Sequence, residues 1–421
     1  MTAVDGPRAA ALAAPAAATP GLGLRAAPAA PWRRMRMWAA AHAVDDLYQG
    51  LVPASVPYFV LERNYGYVAA SGLTLAATLG SALPQPVIGL LVDRRRVGPL
   101  AAVGVVLAGL GVGLAGLVPG YALTWSLVLL SGIGVAMFHP AAGRAARIDA
   151  GDSTAAMSVF AAGGSVGFFL APVLATPALA TLGLAATALF IPPAVLVGFM
   201  LLRAHRRQEA AAKVAAAATA GGQDLWSPFL LLTAVEIVRS VLFFGVITFI
   251  ELYWLRHLHA GHTAAGAALA CFLIGGVAGT LAGGRIADRA GTVRTVQAGT
   301  ALAIPALVAL RVAPGPGTAL LAAMAAGVAI SIPFSVLVKL GQDYLPTRPG
   351  TAAGVTLGLA VSMGGLAAPG LGAIADTWGI AAVFSVLCLV PLPGLLLAAF
   401  LPEIRPIPVP GDDASRAGEP G

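Results

Sequence analysis

Charge is what this sequence has least of. Only 10% of its 421 residues are charged, while 58% are hydrophobic and the mean hydropathy is +0.86. A soluble domain carries about 25% charged residues. A deficit spread over the whole length excludes a soluble globular protein, and also a soluble domain with one anchor. Cysteine is nearly missing too. Cys271 and Cys388 both fall in apolar runs, which excludes a disulfide framework and a multi-cysteine metal site. The net charge is +7, yet no basic segment is interleaved with surface aromatics, so nucleic acid is not an expected partner. Arginines beside hydrophobic runs have a plainer use in orienting a chain in a lipid bilayer.

What the sequence does have is one polar hinge used twice. Gly89-Leu90-Leu91-Val92-Asp93-Arg94 ends one long apolar run and opens the next, and Gly284-Arg285-Ile286-Ala287-Asp288-Arg289 repeats the design about half a chain later. Two copies of one membrane unit are a common way to build a transporter.

Twelve apolar runs follow one another, each near the roughly 20 residues a helix needs to cross the hydrocarbon. Their expected limits are 37–61, 67–92, 98–117, 121–142, 153–175 and 180–203, then 227–255, 264–287, 293–312, 317–341, 350–374 and 379–402. This gives an all-α membrane protein of two pseudo-symmetric six-helix bundles, 37–203 and 227–402. Residues 1–36 and 403–421 read as cytoplasmic tails, disordered from their Ala/Pro-rich composition at the N-terminus, and 204–226 as a cytoplasmic linker. Prolines inside the runs (Pro53, Pro57, Pro172, Pro369) predict kinks. Most of the 25 Lys and Arg residues lie on one side if both termini are cytoplasmic. Arg63, Arg256 and Arg311 fall outside, and Arg239 and Lys339 lie within runs. The bias sets the orientation of a multi-pass chain with both termini cytoplasmic, and the plasma (inner) membrane is its expected location.

Finer repeats are present. Thr154-Ala155-Ala156 through Ser165, Gly167, Ala171 and Pro172 aligns with Thr351-Ala352-Ala353 through Ser362, Gly364, Ala368 and Pro369. A third hinge, Gly372-Ala373-Ile374-Ala375-Asp376, follows the eleventh run and faces the other side. Each half therefore reads as a three-plus-three inverted repeat.

The hinges, the twelve runs and the central basic loop resemble the major facilitator superfamily. Further segments resemble its fosmidomycin-resistance branch, whose members are proton-driven drug exporters. These are His42-Ala43-Val44-Asp45-Asp46-Leu47-Tyr48-Gln49-Gly50, Phe138-His139-Pro140 with Arg144 and Arg147, and Leu345-Pro346-Thr347-Arg348-Pro349-Gly350 leading to Met363-Gly364-Gly365. One departure is Ala141, where that branch often carries a glutamate. The resemblance implies alternating access, with small-molecule export against proton entry. It also implies that each hinge aspartate pairs with a basic residue across the cytoplasmic face. Asp93, with Arg94, Arg144 and Arg147 on the same side, is expected to form such a gate; for Asp288 the expected partner is Arg348.

Charges inside the runs need a reason, because an aspartate at a helix centre costs on the order of 3 kcal/mol on insertion scales. His42, Asp46 and Gln49 form one helical stripe, with Asp45 beside it. Asp46 lies roughly 13 Å in from Met37, near the midplane. A carboxylate there, facing a water-filled cavity, can exchange a proton as the cavity opens to alternate sides. Asp46 is the expected coupling residue, with Asp45 and His42 beside it, and Gln49 is a candidate substrate contact. Glu236 and Arg239 share a face of the seventh run. Arg239 is either a bidentate hook for an anionic substrate such as a phosphonate or half of a structural ion pair. His139 is expected to have a packing or gate role, with a proton relay as the alternative. His257, His259 and His262 lie in an outward loop, but no acidic or cysteine ligand is nearby in sequence, so no metal is expected there.

These readings predict a monomeric secondary transporter with no catalytic residues and no cofactor, whose partners are protons, lipid and a small molecule. The alternatives are a sugar or organic-acid transporter of the same fold and, from another class, an integral-membrane enzyme.

Overall fold

The computed structural model describes residues 31–65, 67–95, 99–204 and 222–404, and every regular element among them is helical. With no water in a bilayer to satisfy peptide groups, apolar runs of this length close their hydrogen bonds within helices. The first half contains α1 (Pro31–Arg63), α2 (Tyr67–Ala82), α3 (Gln85–Arg95), α4 (Leu100–Ala115), α5 (Tyr121–Ala150), α6 (Thr154–Leu182), a 3₁₀ segment (Gly183–Phe190) and α7 (191–204). The second contains α8 (Trp226–Arg256), α9 (His262–Ala290), α10 (Thr292–Val312), α11 (Pro316–Tyr344), α12 (Pro349–Ala353), a π turn (Gly354–Leu359), α13 (Ala360–Trp378), α14 (Ile380–Leu389) and α15 (Pro391–Ala398).

Among the described residues nine helical runs are long and apolar enough to cross a membrane. One of them, Thr154–Ala204, turns back at Gly183, whose φ of 64° suits a residue without a Cβ. The shorter α4 and the charge-bearing α1 complete the twelve spans expected. Span two is broken between α2 and α3 at Leu83-Pro84, and span twelve between α14 and α15 where Pro391 opens a new first turn. Gly291 and Gly379, which end α9 and α13, have φ of 96° and 81°. The second and third hinges thus share their backbone as well as their letters.

Most of residues 1–36 and nearly all of the linker and C-terminal tail lie outside the described residues. Two of those boundaries need correction. Residues 31–36, read as tail, form the first turns of α1, with Met35 buried. Glu403, also read as tail, accepts hydrogen bonds from the Thr292 and Val293 amides at 2.8 and 3.1 Å and so caps α10.

One apolar core packs around Trp38, Tyr48, Phe138 and Phe160 of the first half. Two more lie in the second, around Trp254, Phe272 and Phe384 and around Phe229, Val336 and Tyr344. Small residues bring helices close within each half. A Cβ on Gly163 or Gly167 of α6 would run into the backbone of Ala39 or Ala43 of α1, and one on Gly364 of α13 into Ser240 of α8. Gly167 with Ala43 and Gly364 with Ser240 are equivalent pairs in the internal repeat, so the sequence repeat is also a packing repeat.

Candidate functional site

The close α1–α6 approach buries a polar cluster in the first half. His42 and Asp46 stand one turn apart on α1, and His139 enters from α5. The His42 and His139 Nε2 atoms are 3.2 Å apart. Asp46 sits against both, with Oδ1 3.1 Å from His139 Nε2 and Oδ2 3.4 Å from His42 Nε2. Gly164 of α6 makes room for this, since a Cβ there would meet the His42 ring at 2.6–2.7 Å. The other ring nitrogens face carbonyls: His42 Nδ1 is 2.9 Å from Phe160 O, and His139 Nδ1 is 3.2 Å from Val135 O. A carbonyl can only accept, so in each ring Nδ1 carries the hydrogen. In neutral rings both Nε2 atoms are then acceptors, turned on each other and on a carboxylate. Three acceptors so placed repel one another unless a hydrogen or another cation is shared among them.

Asp45 points elsewhere. Its side chain is fully buried, His139 Nδ1 lies 3.9 Å from one of its oxygens, and neither oxygen has a hydrogen-bond partner among the described residues. Asp46 keeps 17% of its side chain exposed. Of the two acids, only Asp46 keeps accessible surface. Gln49, one turn on, is half-buried.

In the second half Glu236 and Arg239 of α8 are buried together. Arg239 donates from Nε and Nη2 to the two Glu236 oxygens at 2.8 and 2.5 Å, and its guanidinium lies 4.5 Å from the Phe334 ring centroid. By the internal repeat, Arg239 holds the place in α8 that His42 holds in α1. Spending Nε–H and one Nη2–H on Glu236 leaves Arg239 its second Nη2–H and both Nη1–H for anything else.

The hinge aspartates lock the halves together, each on the other half's backbone. Asp93, at the end of α3, accepts from the Gly350 amide at 2.8 Å and from the Thr351 amide and hydroxyl at 2.7 and 2.8 Å, capping α12. Asp288, at the end of α9, accepts from the Thr154 and Ala155 amides at 2.6 and 3.1 Å and from Ser153 Oγ at 3.1 Å, capping α6. A carboxylate at a helix N-terminus meets both unpaired amides and the positive end of the dipole. Between the caps Arg147 of α5 reaches Asp343 of α11 at 2.6 Å, and Lys339 holds the other Asp343 oxygen at 2.6 Å. Gln342 Nε2 also donates to Gly143 O at 3.0 Å.

The described part of the chain is thus two helical halves locked on their hinge face. The sequence model of the Major Facilitator Superfamily matches residues 37–369 and 232–420. The chain belongs to that superfamily. Among curated facilitators it is 29% identical to the uncharacterized MFS-type transporter YfnC of Bacillus subtilis over 374 residues, covering 86% of this chain and 90% of that protein. It is 27% identical to the fosmidomycin resistance protein of Escherichia coli over 378 residues, covering 87% and 91%. Solved facilitators share the fold. The fucose:proton symporter FucP of E. coli superposes with a TM-score of 0.70 at 14% identity, covering 89% of this chain and all (100%) of that one. The human organic anion transporter MFSD10 (TETRAN) gives 0.66 at 18%, covering 88% and 100%.

Against that facilitator frame, His42 and Asp46 lie together as the stripe on span one required. His139 does not sit at the gate; it completes the cluster on Asp46. The partner expected for Asp288 is also corrected. Arg348 pairs with Asp224 at 3.2 Å and lies 5.3 Å from the Trp226 ring centroid, so it is engaged in its own half. Arg144 Nε stands 3.9 Å from Asp93, at the limit of an ion pair, and Arg94 is exposed. Arg147 does bridge the halves, through Asp343. The sequence marks Lys339 only as a charge within a run, and Gln342, Asp343 and Gln85 carry no motif that points to the seam. Gln85 is fully buried with both amide atoms unpartnered among the described residues, wedged where Gly358 of the π turn has no side chain.

Proposed function

We propose that this facilitator exports a small drug-like compound, an anion such as a phosphonate being the favoured cargo, in exchange for protons. It works by alternating access in the plasma (inner) membrane, as a monomer with both termini cytoplasmic. The observation that carries the coupling half is the placement of Asp46 between two imidazole Nε2 atoms with part of its surface still open. A shared hydrogen would relieve a cluster of this kind, and the same acid keeps accessible surface, a combination that suits a group which loads and unloads a proton. The arginine bias puts the hinge face in the cytoplasm, so the arrangement described is the cytoplasm-closed one. Export of a drug is supported by likeness to the fosmidomycin resistance protein. An anionic cargo rests on Arg239, whose Nη1 edge remains for an oxyanion.

Transport into everted vesicles, with and without a proton gradient and against a panel of anionic and neutral compounds, tests the reading. Asp46→Asn inserts normally and loses gradient-driven accumulation. Arg239→Ala loses anionic cargo more than neutral cargo. Undiminished, gradient-dependent accumulation by Asp46→Asn would overturn the coupling assignment.

A further inference from the structure

We infer that the His42–Asp46–His139 cluster is also a binding site for a divalent transition metal of the zinc type, and that a bound metal arrests transport. The binding stands on ligand geometry alone; the arrest rests on the coupling role proposed above.

The three side chains each present one ligand atom, all within 4.8 Å of one another. Zinc bonds to imidazole nitrogen and carboxylate oxygen run about 2.0–2.2 Å, so ligand atoms around a tetrahedral ion stand about 3.3–3.5 Å apart. The neighbouring pairs here are 3.2 Å between the imidazoles, 3.1 Å from His139 to Asp46 Oδ1 and 3.4 Å from His42 to Asp46 Oδ2. The two Asp46 distances run to different carboxylate oxygens, so the acid fills its corner with both oxygens together, or with one of them after a small rotation, while the imidazole pair already stands at the spacing of two corners.

The surroundings match as well. A ligating histidine normally gives its other N–H to a carbonyl or carboxylate, which fixes the tautomer and the ring. Both histidines do this, to Phe160 O and Val135 O. His42 is further held by stacking on the Phe160 ring at 4.3 Å between centroids. Two nitrogens and one carboxylate suit zinc and neighbouring first-row ions, and do not suit calcium or magnesium, which take oxygen ligands. Of the three side chains Asp46 keeps the largest accessible fraction, 17% against 2% for His42 and 3% for His139. An ion there ties up the Asp46 carboxylate and both imidazole Nε2 atoms, the groups on which the proposed coupling depends, so the transporter stops.

The test uses full-length protein in nanodiscs, titrated with Zn²⁺ alone against a fluorescent chelator, with zinc-edge X-ray absorption on the loaded protein. The reference has His257, His259 and His262 all changed to Ala, to remove the loop histidines. Expected are one Zn²⁺ per chain in the reference, a first shell with two imidazoles, and at least about 100-fold weaker binding in both His139→Gln and Asp46→Asn, more than loss of an outer partner costs. Equal binding in those variants, or a shell without imidazole pairs, overturns the site. Exchange by the reference in proteoliposomes, with and without Zn²⁺, separates the two ideas. Gradient-driven exchange that ignores a demonstrated bound ion overturns the arrest. Zinc binding with gradient-independent exchange overturns the coupling reading and leaves the metal site standing.

Discussion

Replacing Asp93 with alanine removes three donors' worth of contact between the halves. The Gly350 amide, the Thr351 amide and the Thr351 hydroxyl all end on this one carboxylate, at 2.7–2.8 Å. A hydrogen bond to a charged group contributes about 1.5–3 kcal/mol, loss of an N-cap costs about 0.5–2 kcal/mol, and such terms do not add. About 2–4 kcal/mol is therefore a fair figure for the whole cap. The cost falls only on the closed arrangement, because Gly350 lies in the other half. At 1.4 kcal/mol per factor of ten, the open population rises about 30- to 700-fold, up to the point where it becomes the major state. Ser158 reports this directly. It is fully buried in the seam, with Gly284 of the other half against its side chain. In a Ser158→Cys protein with Cys271 and Cys388 replaced by alanine, labelling by a hydrophilic maleimide is slow while the lock holds. Asp93→Ala should speed it by at least about 30-fold, with Asp93→Asn between the two since one acceptor oxygen remains. A change under twofold in Asp93→Ala would refute the claim that these contacts hold the halves shut.

Three further outcomes follow from the same geometry. In the labelling assay Asp288→Ala should act like Asp93→Ala, whereas Arg348→Ala, whose partner is Asp224, should leave the rate within about twofold. Gln85→Leu should slow labelling, because it removes two unpartnered amide groups from the closed seam, where each costs on the order of 1–3 kcal/mol. Arg239→Met and Glu236→Gln should each lower the thermal midpoint, since one uncompensated buried charge costs about 3–5 kcal/mol, and the double replacement should recover most of the loss. Equal losses in single and double variants would mean that the pair does not act as a pair.

The spans, the repeat and the His42–Asp46 stripe were legible because each is a local pattern in one stretch of chain. The lock was half legible. Asp93 and Asp288 were found, but their partners were sought among arginines, and a backbone amide leaves no mark in a side-chain alphabet. A mark did exist: Thr154-Ala155-Ala156 and Thr351-Ala352-Ala353 recur, and both stand at helix starts, with Ser153 and Pro349 before them. Read as N-termini, with their orphan amides, they are natural receptors for a carboxylate. His139 was misplaced for another reason. Its contact with His42 spans 97 residues of sequence, and a depth count along one helix says nothing of which neighbour faces it.

The cluster and the lock share helices, and this makes their interaction testable. Helix α5 carries His139 and, two turns on, Arg147; α6 carries Thr154, which Asp288 caps, and, under two turns on, Phe160, whose carbonyl faces His42. The separations along the axes are roughly 9–12 Å at 1.5 Å per residue, and both helices continue through the stretch between their two contacts, α5 with Pro140 inside it. A rearrangement that moves His139 or Phe160 to suit a changed Asp46 therefore displaces the groups that close the seam, through packed helices rather than a flexible loop. Coupling between distinct sites usually amounts to about 1–3 kcal/mol, or 5- to 150-fold in an equilibrium. Asp46→Asn in the Ser158→Cys protein should accordingly shift maleimide labelling by at least about fivefold, although Ser158 touches none of the cluster's titratable groups in the contacts described. A rate unchanged by Asp46→Asn but raised by Asp93→Ala would leave two working devices on the same helices with no conversation between them, and alternating access would then need a different link from proton to gate.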